Sequence, residues 1–328
     1  MKKVSLEMGS GGRLMREFIA ERLLPAFNNP ILRRLHDSAL LTEGWAFTTD
    51  SYTVDPIFFP GGDIGQLSVN GTVNDLVVSA AKPLYLSLAL IIEEGLEFDS
   101  IEKILLSIKK AAQKNRVKIV TGDTKVVPKG QGDKIYINTA GLGQLLGFPQ
   151  PEKAQPGDKL IVTGNIGEHG LAIMLARNDF RLISEVKSDC ASLLFLLPTW
   201  EKGVLWMRDI TRGGLATVLS ELAESVNYPV LVEEEKIPYS RPLQGAVEIL
   251  GIDPLYLACE GRALLVVPEQ KAETILKMIK RHPLGKKAAI IGEVQDRIGK
   301  KGEALLRTLS GGYRLLEPLT SELLPRIC

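Results

Sequence analysis

Leu84-Tyr85-Leu86-Ser87-Leu88-Ala89-Leu90-Ile91-Ile92, then Phe98 to Lys114, then Val117-Lys118-Ile119-Val120-Thr121, is the stretch that decides the fold class. The first run is almost wholly apolar and short, as a buried strand is. The second carries its apolar residues at helical spacing, with lysines between them. The third is another strand, which the spacing predicts to stop at a turn, Gly122-Asp123-Thr124-Lys125. A strand, a helix and a strand in succession predict an α/β layer.

The pattern continues in both directions. Upstream, Trp45 to Thr49 reads as a strand ending at Asp50-Ser51-Tyr52, followed by turns at Asp55-Pro56 and Pro60-Gly61-Gly62-Asp63. Ile64 to Ala81 reads as a helix, and Arg13 to Leu24 as another with one apolar face. Downstream, Lys134 to Leu142 alternates like a strand, and the Pro/Gly/Lys-rich break from Pro149 to Asp158 marks a domain boundary. Beyond it come strand Lys159 to Thr163, a helix holding His169 and Met174, helix Ser188 to Trp200, and a helix opened by Asp209-Ile210-Thr211-Arg212-Gly213-Gly214. An exposed strand end at Leu231 to Glu235 and helix Leu243 to Leu250 follow. A turn at Cys259-Glu260-Gly261 leads to strand Arg262 to Val267, helix Glu269 to Arg281 and the closing strand Ala288 to Val294. Close strand pairs predict mixed sheets. We therefore expect a leader and helix over 1–34, an α/β domain over 35–150, a second over 151–317 and a tail over 318–328.

With 328 residues the chain exceeds the size at which a single core usually keeps growing, so two domains are the default. Hydrophobic content of 45% and charged content of 24% are those of a globular protein. A net charge of +1, without a basic run, argues against nucleic acid. The start turns polar too soon for a signal peptide and no run is long enough to span a bilayer, so a cytoplasmic protein without a membrane partner is expected. Cys190, Cys259 and Cys328 have no metal-ligand spacing, which fits free thiols.

Asp37, Asp50, Asp123 and Asp209 stand where predicted strands or helices meet turns, and Asp75 sits beside Asn74 in an otherwise apolar helix. Each alone would serve as a cap or turn former. As a set without His or Cys, they suit a hard cation such as Mg²⁺, held together with substrate phosphates. Gly9-Ser10-Gly11-Gly12 ahead of a helix offers backbone N–H groups to phosphate, although it lacks the Lys-Ser/Thr of a P-loop. Cys328 follows a Pro-bounded segment, Leu324-Pro325-Arg326-Ile327, so a mobile, reachable thiol is expected.

Gly9-Ser10-Gly11-Gly12, Thr49-Asp50-Ser51, Asn74-Asp75, Gly122-Asp123-Thr124-Lys125 and Asp209-Ile210-Thr211-Arg212-Gly213-Gly214, in this order, resemble the ATP-binding superfamily of aminoimidazole ribonucleotide synthetase, thiamine-monophosphate kinase and selenophosphate synthetase. Asp55-Pro56-Ile57-Phe58-Phe59-Pro60-Gly61-Gly62, His282-Pro283-Leu284-Gly285-Lys286 and the ending Pro325-Arg326-Ile327-Cys328 are similar to its hydrogenase-maturation carbamoyl dehydratases. Met8 stands where the family commonly has His.

The resemblance implies a homodimer whose N-terminal sheets pair into a barrel, with a C-terminal α/β sandwich behind. It implies ATP between the domains, bound by Gly9 to Gly12, Asn74, Thr124 and Thr211, with Asp50, Asp75, Asp123 and Asp209 as metal or nucleotide carboxylates. Asp37 joins the metal set on its position alone. It further implies that a carbamoyltransferase, HypF, loads Cys328, that ATP-dependent dehydration yields a thiocyanate, and that cyanide passes to iron on a HypC–HypD scaffold for nickel-iron hydrogenase. For that chemistry Lys125 is the candidate cation at the phosphoryl group and Glu260 the candidate base, ahead of His169 and His282. Arg326 is expected to offset negative charge beside the thiol. The alternatives are a phosphoryl-transfer synthetase acting on a free small molecule, and a non-catalytic scaffold presenting Cys328.

Overall fold

The computed structural model describes residues 3–9, 12–177, 184–319 and 326–328. Ser10, Gly11 and Pro325 lie outside the described residues. The chain opens with a broken helix, α1 (Arg13–Phe18), a π turn and α2 (Leu24–Phe27). The first sheet follows: β1 (Ala39–Leu40), β2 (Trp45–Tyr52), the hairpin β3 (Phe58–Phe59) and β4 (Gly62–Asp63), α3 (Ile64–Val78), β5 (Ala81–Glu93), α4 (Phe98–Asn115), β6 (Lys118–Val127) and β7 (Ile135–Leu145). Its order is β1-β2-β7-β5-β6, with β5 and β6 parallel and the rest antiparallel.

Helix α3 explains its own composition. Asp63 caps it, accepting from the N–H groups of Gly65 at 2.8 Å and Gln66 at 3.0 Å. Covered by the first sheet, by α4 and by the second half of the molecule, it is buried on nearly every side, as an all-round apolar helix must be. Its small residues allow that approach: a side chain at Gly71 would strike the Tyr52 hydroxyl. Helix α4, by contrast, buries one face through Ile104, Ile108, Ala111 and Ala112.

The second sheet comprises β8 (Lys159–Val162), β9 (Trp206–Asp209), β10 (Val230–Glu233), β11 (Ala263–Val267), β12 (Ala289–Val294), β13 (Ala304–Arg307) and β14 (Tyr313–Leu316), in the order β14-β13-β10-β12-β8-β11-β9. Helices α5 (Glu168–Ala176), α6 (Leu197–Glu201), α7 (Gly214–Ser225), α8 (Arg241–Leu250) and α9 (Glu269–Lys280) connect and cover it. Period-two alternation splits the central strands between two cores. Ile161, Leu265 and Val267 join a cluster with Ile275 and Ile279 of α9, whereas Leu160, Val162, Leu264 and Val266 join one with Leu215, Leu219 and Leu222 of α7. The first cluster runs on into Ile64, Leu67 and Val73 of α3, so one apolar core joins both sheets.

The structure corrects several boundaries. Strand β2 continues through Tyr52 and β6 through Val127, so Asp50 and Gly122 to Lys125 lie in strands rather than turns. Residues 188–193 are neither helix nor strand, because their backbone is bonded to α3 and to the Glu260 segment. Only a short 3₁₀ turn, Leu194–Leu196, and α6 are helical there. Val230 to Val232 form an interior strand, and β13 and β14 extend the sheet past the expected closing strand. Among the described residues no helix is long and apolar enough to cross a membrane.

Candidate active site

Strand β9 ends at Asp209 against α3, and this contact assembles the site. Carboxylate oxygens of Asp37, Asp75 and Asp209 lie within 4.8 Å of one another. Thr48 Oγ1 holds the group from behind, 2.7 Å from Asp75 Oδ2 and 2.9 Å from the carbonyl of Asp37. One guanidinium answers them: Arg208 pairs with Asp37 at 3.2 Å and with Glu221 at 3.2 Å. The imbalance shows in the acidities. Burial, then the charges of Asp50, Asp209 and Asp37, push the Asp75 carboxyl well above the usual range. Burial and Asp37 do the same to Asp209, while at Asp37 burial outweighs the opposing Arg208. Asp209 caps no helix. The N-cap of α7 is Gly213, at φ +79°, and a Cβ on Gly214 would strike the Leu255 carbonyl, so the paired glycines let the helix start directly behind the carboxylate.

These groups open on a cleft of about 210 Å³ lined also by Asp50, Tyr52, Thr211, Arg212, Glu260 and Cys328. Glu260 is 3% exposed, and its Oε1 has no hydrogen-bond partner among the described residues. Burial, then Asp209, Asp189 and Asp50, push its carboxyl well above the ordinary range, opposed by Arg212. The Tyr52 hydroxyl donates to Asp50 Oδ2 at 3.1 Å.

The end of the chain is docked. Thr53 donates to the Cys328 carbonyl oxygen through its N–H at 2.9 Å and its hydroxyl at 3.2 Å, and the Asp55 N–H donates to Arg326 O at 3.2 Å. Arg326 itself turns away, donating Nε to Thr53 O at 2.8 Å and pairing with Asp133. The cation held by the negative charge of Cys328 is Arg212, whose guanidinium is shifted toward still firmer protonation. Arg212 thus stands near the charge that Arg326 is expected to offset. Cys190 and Cys259 are buried, and burial raises both thiols well above the ordinary range.

A second cleft of about 870 Å³ adjoins the first through Arg208, Asp209, Thr211 and Arg212, between the opening helix (Arg13, Arg16) and α7. Gly9 reaches this corner, its carbonyl accepting from Arg212 at 3.4 Å. Gly12 instead lies on Leu319, whose carbonyl accepts the Arg13 N–H at 2.9 Å.

The remaining residues singled out in the sequence lie elsewhere. Asn74 lines neither cleft: it is 1% exposed, its amide donates to Ala191 O at 3.0 Å, and its oxygen accepts the Leu193 N–H at 2.8 Å. It clamps α3 to the second half, so Asn74→Ala leaves two buried backbone groups unpaired. We expect it to lower unfolding free energy by about 2–4 kcal/mol. Urea denaturation checks this; unchanged stability with lost nucleotide binding would return Asn74 to the ligand. Asp123 shares a cross-strand row with Ala89, Asn138 and Ser51, which puts it roughly 14 Å from the Asp50 strand. It sits with Thr124 on the exposed edge strand, paired with Lys125 at 2.8 Å. Within one chain, Asp123, Thr124 and Lys125 do not join the acidic cluster. His282 caps a 3₁₀ turn and stacks on Phe195 at 4.3 Å. Arg208, Arg212 and Tyr52 were given no role from sequence, although all three adjoin or belong to the motifs quoted.

The chain resembles known proteins over its whole length. The family model described as AIR synthase related protein, N-terminal domain, matches residues 35–145, and its C-terminal counterpart matches 155–303. "Carbamoyl dehydratase HypE" of Rhodobacter capsulatus is 42% identical over 339 aligned residues, covering 100% of this chain and 98% of that protein. A crystal structure of HypE in complex with ATP superposes with a TM-score of 0.83 at 43% identity, covering 99% of this chain and 100% of that one. HypE from a HypE–HypF complex does so at 0.87 and 42%, covering 92% and 99%. The chain belongs to the AIR synthase related family and, within it, to the HypE family.

Proposed function

We propose that this chain dehydrates an S-carbamoyl group on Cys328 to a thiocyanate at the expense of ATP, supplying cyanide for the iron of nickel-iron hydrogenase. The observation that carries the reading is the placing of the Cys328 tail in one cleft with Asp75, Asp209 and Glu260. The overall change is S–C(=O)–NH₂ plus ATP to S–C≡N plus ADP and phosphate: one C–O bond breaks and both N–H protons leave.

The residues fit Mg²⁺ and ATP. Three converging carboxylates with one guanidinium among them lack positive charge, and an all-oxygen donor set suits a hard cation. Asp37, Asp75 and Asp209 would hold it, with Asp50 beside them. The 870 Å³ cleft, within the range of small-molecule sites, would take the nucleotide next to Gly9 and Thr211. Mg²⁺-ATP supplies the phosphoryl group that turns an amide-type oxygen into a leaving group. Arg212 offsets negative charge next to the thiol. Glu260, once ionised, accepts a proton from nitrogen, and the docked tail holds the carbamoyl group out of bulk water.

HypF is the proposed carbamoyl donor and a HypC–HypD scaffold the acceptor. A second copy of the chain is the proposed cover for β6, whose residues from Lys118 to Val126 are all exposed and include Ile119, Val120 and Val126. In that homodimer, whose sheets would pair into a barrel, Asp123, Thr124 and Lys125 serve the partner's site. Mixing inactive Asp123→Ala chains with inactive Asp209→Asn chains should then restore about a quarter of the sites after subunit exchange. No recovery would remove them from trans action.

The direct test is the mass of the C-terminal peptide after incubation with the carbamoyltransferase, carbamoyl phosphate and ATP. A carbamoyl adduct on Cys328 that loses one water only when ATP is present is the expected result. ATP turnover without any adduct would favour a synthetase acting on a free small molecule.

A further inference from the structure

Three consecutive carbonyls of the docked tail have defined donors. Arg326 O receives Asp55 N–H and, at 2.8 Å, Arg177 Nη2; Ile327 O receives His169 Nε2 at 2.8 Å; Cys328 O receives Thr53. Thr53 and Asp55 follow β2 in the first half of the molecule, whereas His169 and Arg177 come from α5 and its end in the second. The tail is thus stapled to both halves through its backbone.

His169 is the member whose chemistry is fixed most tightly. It is fully buried, edge-on to Phe59 with ring centroids 5.5 Å apart. A carbonyl only accepts, so Nε2 carries the hydrogen. Burial depresses the imidazole to a pKa of about 4, so the ring is neutral and Nδ1 is an acceptor. The Ser188 hydroxyl, 2.8 Å away, therefore donates to Nδ1 while accepting the Cys190 N–H at 3.0 Å. Ser188 is itself held by the turn at Gly61: its N–H donates to Pro60 O at 2.8 Å, and Gly61 has a φ of +97° and no room for a side chain against Ser188. The line Pro60, Ser188, His169, Ile327 O thus delivers one oriented donor to the residue before the thiol.

We propose that His169 is a positioning residue for Cys328: backed by Ser188, it latches the Ile327 carbonyl and sets the balance between a thiol seated over the acidic cleft and a thiol withdrawn to meet another protein. The inference rests on the function proposed above, because a cleft of about 210 Å³ cannot admit a second protein's active site, so loading needs the withdrawn state and dehydration the seated one. A latch of one buried hydrogen bond is suited to both, since it is worth about a tenfold shift and no more.

The test uses the full chain as wild type, His169→Ala, His169→Gln and Ser188→Ala. Alkylation of Cys328 by iodoacetamide, without nucleotide or partner, is followed in the C-terminal peptide. Single-turnover loss of water from the carbamoylated protein is followed with ATP. His169→Ala should speed alkylation and slow dehydration, the two fold-changes multiplying to about ten because both read one seated–withdrawn equilibrium, with ATP affinity and the rate of carbamoylation not reduced. Glutamine, which retains a donor, should recover much of both; Ser188→Ala should give a smaller shift in the same direction and serves if His169→Ala does not fold. Unchanged alkylation rates in the folded variants would overturn the latch. A wild type that gains no adduct or loses no water would instead overturn the function, leaving the alkylation result standing.

Discussion

Asp209→Asn should cut dehydration about a thousandfold while leaving carbamoyl groups to accumulate on Cys328, because it removes a carboxylate from the cation site and not from the tail. The same substitution should make the ligand-free protein more stable. Asp209 is buried beside Asp37 and Asp75, and its carboxyl is pushed up by burial and by Asp37. A carboxyl whose native pKa lies above its unfolded value binds more protons folded than unfolded, so stability falls as pH rises through that interval. Asp37, Asp75 and Glu260 are shifted in the same direction. The ligand-free wild type should therefore melt higher as pH is lowered from neutral toward the ordinary carboxylate range, and Asp209→Asn should flatten that slope. Mg²⁺ with ATP should raise the wild-type melting temperature at neutral pH and do much less for the variant. Calorimetry on the two proteins, with and without Mg²⁺-ATP, checks all of these. A variant less stable than wild type without ligand, or stabilised equally by Mg²⁺-ATP, would count against a cation at Asp209.

The sequence was most legible where a polar residue interrupts an apolar pattern for chemical reasons. Asp75 in α3 stands out that way, whereas Asp209 stands out as the first residue of a motif at a turn that opens a helix; both line the cleft. Asn74 looked the same beside Asp75, yet successive helical residues point about 100° apart, so its neighbour faces the cleft while Asn74 faces residues 191–193. Asp123 was legible as part of a motif but not as belonging to an edge strand. Where the strand lies in the sheet depends on the β5–β6 crossover, which local pattern does not encode. The predicted helix at Ser188 to Trp200 failed for a related reason: an apolar run with helical composition is overridden when its backbone bonds to Asn74 and Glu260. The docked seat of the chain's end was not legible either, since Ile327 is 9% exposed in the shared core and the oxygens flanking it have donors from both halves. What no single stretch could announce is His169, whose role exists only because Ser188 and Ile327 meet it from distant parts of the chain.

Glu260→Gln should reduce dehydration by about a hundredfold to ten-thousandfold with ATP binding retained, the range expected for loss of a positioned base. Glutamine keeps the volume and leaves the backbone bonds undisturbed: Glu260 N–H to Asp189 Oδ1 at 2.9 Å, and Ala191 N–H to Glu260 O at 3.2 Å. The buried Oε1, which has no hydrogen-bond partner among the described residues, is the atom the substitution alters in charge or donor character, so stability should change little or rise. The pH profile separates base from scaffold. Because burial, Asp209 and Asp189 hold the Glu260 carboxyl protonated well above the ordinary range, a mechanism needing the carboxylate gains rate as pH rises through that elevated value. The limb should be absent in Glu260→Gln. A cation held by Asp209 weakens the repulsion that Glu260 feels from it, which lowers the Glu260 pKa and moves the limb to lower pH. Measured single-turnover rates should then show the rising limb at lower pH with saturating than with limiting Mg²⁺. Such a displacement would mean that cation binding prepares the base, since the charge that assembles the nucleotide site also releases the proton from Glu260. A limb that persists in Glu260→Gln would assign the proton transfer to another group.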